Sequence, residues 1–168
     1  SKNHKLNYKV NLSYSKTFCK DFTWIPAWVQ SNRVYLAKSN ERLTKATRSY
    51  ADALIENVLT YDATVGKHQF NLVAGQTYEE ENTDLLTGWG VNFTEPYFLQ
   101  LQNAANTYAE SFEYKHTLLS YIGRINYNYD ERYLFSATVR RDGSSRLSQN
   151  IRWGTFPSVS VGWRFDKE

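Results

Sequence analysis

Residues 119–129 read Leu119-Ser120-Tyr121-Ile122-Gly123-Arg124-Ile125-Asn126-Tyr127-Asn128-Tyr129, and residues 133–142 read Tyr133-Leu134-Phe135-Ser136-Ala137-Thr138-Val139-Arg140-Arg141-Asp142. In the first stretch Leu119, Tyr121, Ile125, Tyr127 and Tyr129 fall on alternate positions, interrupted only by the small Gly123. Ser120, Arg124, Asn126 and Asn128 lie between them, with Ile122 the exception. In the second, Tyr133, Phe135, Ala137 and Val139 alternate with Ser136, Thr138 and Arg140, with Leu134 the exception. A period of two belongs to an extended strand whose two faces meet different surroundings. One face here is aromatic and aliphatic, the other polar or charged, over about ten residues. That is the length and pattern of a strand that crosses a bilayer beside a water-lined lumen.

The same alternation recurs along the chain. Leu6, Tyr8, Val10, Leu12 and Tyr14 alternate with Asn7, Lys9, Asn11 and Ser13. A strand over roughly Tyr50–Asp62 sets Ile55, Leu59 and Tyr61 against Glu56 and Thr60. After a turn at Ala63–Lys67, Phe70, Leu72, Ala74 and Tyr78 oppose Asn71, Gly75 and Thr77. A strand from about Thr107 to Tyr129 leads through the turn Asp130-Glu131 to one ending near Asp142. In the last, Val159, Val161, Trp163 and Phe165 oppose Ser158, Ser160, Gly162 and Arg164. Long polar loops are predicted at 15–49, with strand extensions around Arg33–Ala37, and at 79–106 and 143–154. The connections therefore alternate long and short. Membrane barrels have short turns on the periplasmic side and longer loops outside, which orients the strands. Tyr61, Tyr127, Tyr129 and Tyr133 cluster by the short turns, and Tyr14, Tyr78 and Tyr108 at the opposite strand ends, as two aromatic girdles require.

Composition agrees with this class and excludes others. Of 168 residues 16% are aromatic, with 13 Tyr, 9 Phe and 5 Trp. A mean hydropathy of -0.62 and the lack of a long apolar run exclude a transmembrane helix but not a barrel, in which alternate residues face lipid. A net charge of +3 is too small to indicate nucleic acid as a partner. The single cysteine, Cys19, excludes an internal disulfide. His4, His68 and His116 have no metal-ligand spacing, and Glu79-Glu80-Glu81 reads as a solvated loop shoulder, so neither a metal nor another cofactor is expected. No nucleophile, paired-carboxylate or phosphate-loop arrangement is present, which argues against an enzyme. With no methionine and no signal peptide, the chain reads as a piece of a larger exported product.

Three phrases carry a family resemblance. Gly123-Arg124-Ile125-Asn126-Tyr127, Arg140-Arg141-Asp142-Gly143-Ser144-Ser145-Arg146 and Trp153-Gly154-Thr155-Phe156-Pro157-Ser158-Val159-Ser160 resemble the SusC/RagA-type TonB-dependent outer-membrane transporters. Glu56-Asn57-Val58-Leu59-Thr60-Tyr61, Gly66-Lys67-His68 and Ala74-Gly75-Gln76 resemble the preceding hairpin of that family. The likeness covers roughly residues 50–168, and Leu147 stands where the family usually carries Phe. The fold class implied is all-β, an antiparallel up-and-down transmembrane barrel segment of six strands within a barrel of about twenty-two. Residues 1–168 would then be a partial barrel domain whose plug domain lies outside this chain. The resemblance further implies TonB-dependent import across a Gram-negative outer membrane, of oligosaccharides or in some members peptides. The expected partners are the lipid bilayer, the rest of barrel and plug, a SusD-like surface lipoprotein, the TonB complex and the cargo.

The family phrases also have plain structural readings. Arg140 to Arg146 is a strand closed by an Asp-Gly turn with Arg–Asp pairing, in preference to a ligand site. Trp153, Gly154, Phe156, Pro157 and Ser158 bring the chain back into the sheet, since proline is tolerated at the first residues of a strand. Trp24, Trp28, Trp89, Tyr97 and Phe98, in predicted extracellular segments, are the candidates for contact with cargo or lid subunit. Two alternatives stand beside the transporter. One is a secreted β-sandwich that binds carbohydrate, whose apolar faces would meet in one dry core. The other is a non-transporting barrel such as an adhesin.

Overall fold

A computed structural model describes residues 2–32, 35–95 and 97–165. Eight strands follow in chain order: β1 (Lys2–Ile25), β2 (Trp28–Asn32), β3 (Tyr35–Ser39), β4 (Arg42–Val65), β5 (His68–Phe93), β6 (Ala104–Tyr129), β7 (Tyr133–Ser144) and β8 (Trp153–Trp163). A 3-10 turn, Leu101–Asn103, precedes β6. Six strands make one antiparallel sheet in the order β1-β4-β5-β6-β7-β8, and β2 with β3 forms a separate hairpin. Every long strand pairs with the next long strand in sequence, which is the up-and-down meander expected.

The short connections are tight turns. Gly66-Lys67 joins β4 to β5 with Gly66 at φ +62, the left-handed first position that a type II′ hairpin demands of glycine. Between β6 and β7, Asp130 and Glu131 both take left-handed angles, φ 53 and φ 54, and Arg132 N donates to Tyr129 O at 2.9 Å. The two turns are joined: Asp130 N donates to Lys67 O at 2.9 Å, and Lys67 Nζ reaches Asp130 Oδ2 at 2.7 Å.

The expected loops at 15–49 and 79–106 are largely strand. β1 continues to Ile25, β4 begins at Arg42, β5 continues to Phe93 and β6 begins at Ala104. The third loop shortens to residues 145–152. The long strands run 24 to 26 residues, more than twice the ~9–11 that cross a bilayer. Along these extensions the apolar/polar alternation fades while the strand continues, so periodicity alone reads them as irregular. Of the strand expected at Arg33–Ala37, β3 supplies Tyr35–Ser39, and Arg33 lies outside the described residues, as does Pro96.

The residues group into two units, one of Ser1–Tyr14, Asp52–Glu81 and His116–Glu168, the other of Ser15–Ala51 and Asn82–Lys115. In the first, large apolar side chains are left open, with Leu12 73% and Val161 81% exposed. In the second a small core gathers Leu43, Ala46 and Phe93, all buried.

Candidate functional site

Strand register in the first unit sorts its residues into two faces. On one, a hydrogen-bond ladder runs across four strands. Asn71 Nδ2 donates to Asp62 Oδ1 at 2.7 Å, Asn126 Nδ2 donates to Asn71 Oδ1 at 2.9 Å, and Ser136 Oγ donates to Asn126 Oδ1 at 2.7 Å. Asn128 Nδ2 donates to Gln69 Oε1 at 3.1 Å in the row toward the turns, and Arg124 Nε to Thr138 Oγ1 at 3.1 Å in the row on the other side of Asn126. At the other margin Asn11 donates to Glu56. A groove of about 530 Å³ runs beside the ladder between Asp62, Gln69, Asn128 and Ser160. Polar side chains bonded to one another along an open face suit contact with water or with a polar partner.

The opposite face is apolar, in paired rows. Tyr129, Tyr133 and Trp163 share one row, Tyr127, Phe135 and Val161 the next, then Ile125, Ala137 and Val159, then Gly123, Val139 and Pro157. By the turns, Tyr129 stacks on Tyr133 at 6.4 Å, and Tyr127 meets Phe70 at 5.0 Å. The tyrosine hydroxyls there have partners, Tyr127 with His68 Nδ1 and Tyr61 with His4 Nδ1, each at 2.8 Å. A second aromatic cluster lies toward the loops, where Tyr121 stacks on Trp153 at 6.2 Å. Tyr121 is eight residues from Tyr129, and Trp153 ten from Trp163. At about 3.3 Å per residue and a tilt of about 40°, the clusters stand about 20–25 Å apart along the barrel axis, the height of an outward apolar band. Tyr133 and Trp163 are 49% and 58% exposed, so the aromatic face is not folded into a dry interior as a sandwich requires.

The segment Arg140–Arg146 is held from within. Arg140 Nε donates to Asp142 Oδ1 and Oδ2 at 2.8 and 2.9 Å, while buried Ser120 stands opposite Asp142 and bonds the same carboxylate. Ser145 N donates to Thr117 O at 2.9 Å and Ser145 Oγ accepts from Thr117 N at 2.8 Å, tying the loop to β6. Ser144 N donates to Arg152 O at 3.1 Å, and Arg146 reaches Glu81 at 3.4 Å. Gly143 faces Trp153, and a Cβ on Gly143 would sit 2.9 Å from three indole atoms. Gly154 makes the matching space for the ring of Phe156, where an added Cβ would stand 2.9 Å from Cζ.

The loop aromatics are dispersed. Trp24 lies on β1 with its ring edge-on to Phe93 at 5.1 Å. Trp89 lies on β5, stacked on Tyr108 at 5.5 Å, with Arg42 Cζ over it at 5.4 Å. Tyr97 and Phe98 project from the β5–β6 connection, Tyr97 at 92% exposure, and Phe98 lines a cavity of about 460 Å³ with Gln102 and Asn103. Trp28 opens β2, and its side chain lies outside the described residues. Sequence reading passed over the Asp62–Asn71 pair and Arg42. The first was legible, since the two residues are equidistant from the Gly66-Lys67 turn. Arg42 sits in a stretch whose alternation is lost, and nothing in the sequence marks it.

No protein-family model matches the chain. Curated relatives do. The TonB-dependent receptor SusC of Bacteroides thetaiotaomicron is 36% identical over 111 residues, covering 64% of this chain and 11% of that protein. TonB-dependent receptor P3 of Formosa agariphila is 35% identical over 124 residues, covering 72% of this chain and 12% of that protein. The chain thus spans about a tenth of the length of the relatives it matches. Among solved structures, that of the RagAB peptide transporter matches with a TM-score of 0.72 at 20% identity, over 99% of this chain and 18% of that one. The RagAB peptide importer in the 'open-open' state matches with a TM-score of 0.69 at 20% identity, over the same shares. By sequence this chain is a homologue of the SusC-type TonB-dependent receptors, and by fold it is a segment of their antiparallel barrel wall.

Proposed function

We propose that the chain forms wall and extracellular loops of a TonB-dependent importer in a Gram-negative outer membrane. It carries oligosaccharides inward beneath a SusD-like lipoprotein lid, with a plug domain in the lumen and the TonB complex supplying energy. The observation that carries the reading is the sorting of the sheet into an aromatic face, in rows across β6, β7 and β8, and an opposite face bonded side chain to side chain from β4 to β7. In this orientation the turns 66–67 and 130–132 are periplasmic, and the ladder from Asp62 to Ser136 lines the lumen, where plug or water meets its remaining donors and acceptors. Trp89 with Tyr108, and the exposed Tyr97 and Phe98, offer flat rings to sugars on the outer side. The family phrases at 123–127, 140–145 and 153–158 act as sheet and loop geometry in this reading.

Uptake by the full-length product tests it. Cells should accumulate a fluorescent oligosaccharide in a TonB-dependent manner, and lose most of that uptake when Trp89 and Tyr97 are changed to Ala. Recovery of the product in the aqueous fraction without detergent would overturn the barrel. Accumulation of labelled peptides but not of glycans would overturn the cargo, in favour of peptides.

A further inference from the structure

Arg140 and Arg141 are adjacent in sequence and have opposite fates. Register puts Arg140 in the row of Ile122 and Phe156, on the polar face, where it grips Asp142. The same register puts Arg141 in the row of Tyr121 and Thr155, on the apolar face. Its guanidinium Cζ lies 5.0 Å from the centroid of Trp153, and among the described residues it makes no ion pair. Trp153 is itself fixed, stacked on Tyr121 and seated over the bare Cα of Gly143. A cation on a lipid-facing row is tolerated only near an interface, and this row is the far girdle, one apolar band away from Tyr129 and Tyr133. A guanidinium carbon over an aromatic ring engages the ring through its charge, and its planar fork of N–H donors matches a bidentate acceptor.

We infer that Arg141, braced by Trp153 and Tyr121, binds the phosphate of a phosphorylated lipid in the outer leaflet. The inference rests on the barrel orientation proposed above. Phosphate suits the site because guanidinium binds it through two parallel charge-assisted hydrogen bonds. Aromatic rings flanking the cation match the boundary between headgroup and acyl chains.

The test uses the full-length product reconstituted in vesicles of digalactosyldiacylglycerol, a lipid without phosphate, containing lipid A, lipid A stripped of its phosphates, or neither. Wild type should retain phosphorylated lipid A in native mass spectra. Arg141→Gln should weaken retention about tenfold, as loss of a charged hydrogen-bonded pair does. Arg141→Lys should keep part of it, and Arg124→Gln, which removes the same charge from the opposite face, should change nothing. Equal retention by Arg141→Gln and wild type, or equal binding of the dephosphorylated lipid, would overturn the inference. Stabilisation of wild type by inorganic phosphate to the same degree as by lipid A would overturn the lipid as the source. Failure of wild type to insert in any vesicle, read as absence of heat-modifiable gel migration, would instead overturn the barrel reading.

Discussion

Gly143 needs no unusual backbone angle, since Gly66 is the only described glycine with positive φ. Its requirement is spatial, because the indole of Trp153 fills the place of its side chain. Gly143→Val should therefore destabilise the full-length product by about 1–3 kcal/mol, as overpacking does. Thermal unfolding in detergent would show it, and Trp153→Ala in the same chain should return part of the loss, since the two changes share one contact. Glu131 presents the converse case. It holds φ 54 with a Cβ that the left-handed region disfavours by about 1–2 kcal/mol, so Glu131→Gly should raise the urea midpoint. A lowered midpoint would mean that the contacts of the Glu131 side chain outweigh the backbone gain.

Among elements, β1 separates the two environments most cleanly. Leu12→Arg should cost about 2–4 kcal/mol in vesicle folding, the depth-dependent penalty for a cation facing lipid. Ser13→Arg, on the lumen side, should be close to neutral. Equal losses at both positions would contradict the facing of the strand. Asn126 occupies the middle of the polar ladder, bonded to Asn71 and Ser136. Asn126→Leu leaves both neighbours without that partner and should cost about 1–3 kcal/mol, with coupling to Asn71→Leu in a double-mutant cycle. The two-faced strands were legible from residue types, because a period of two in β6, β7 and β8 is what two unlike surroundings write into a strand. Residues 15–25 of β1, 42–49 of β4 and 79–93 of β5 were not, because their side chains lack a sustained apolar alternation for the sequence to show. The turn-side cluster of Tyr61, Tyr127, Tyr129 and Tyr133 was likewise readable. The second cluster instead falls at Tyr121 and Trp153, while Tyr108, expected in it, stacks on Trp89. The placement of Trp24 against Phe93 and of Arg42 over Trp89 depends on non-local packing.

For the whole molecule, orientation gives a direct experiment. In a Cys19→Ser background of the full-length product, Ser148→Cys in the β7–β8 loop should react with an impermeant maleimide on intact cells. Lys67→Cys and Glu131→Cys should react only after the outer membrane is opened. The reverse pattern would invert the assignment of inside and outside. β1 and β8 are the margins of the described sheet, and in hydrocarbon an unpaired strand edge costs several kcal/mol per lost hydrogen bond. Their partners are expected among the remaining strands of the barrel.

The joined turns have a kinetic consequence. Lys67 and Asp130 connect the β4–β5 hairpin to the β6–β7 hairpin, and Arg164 N donates to Arg132 O at 2.8 Å, bringing the end of β8 to the same margin. Hairpin closure is local and fast, while pairing between distant segments must first overcome loop entropy. A hem stitched at this rim sets the stagger of five consecutive strands from their short-turn ends, so alignment propagates outward like a zip.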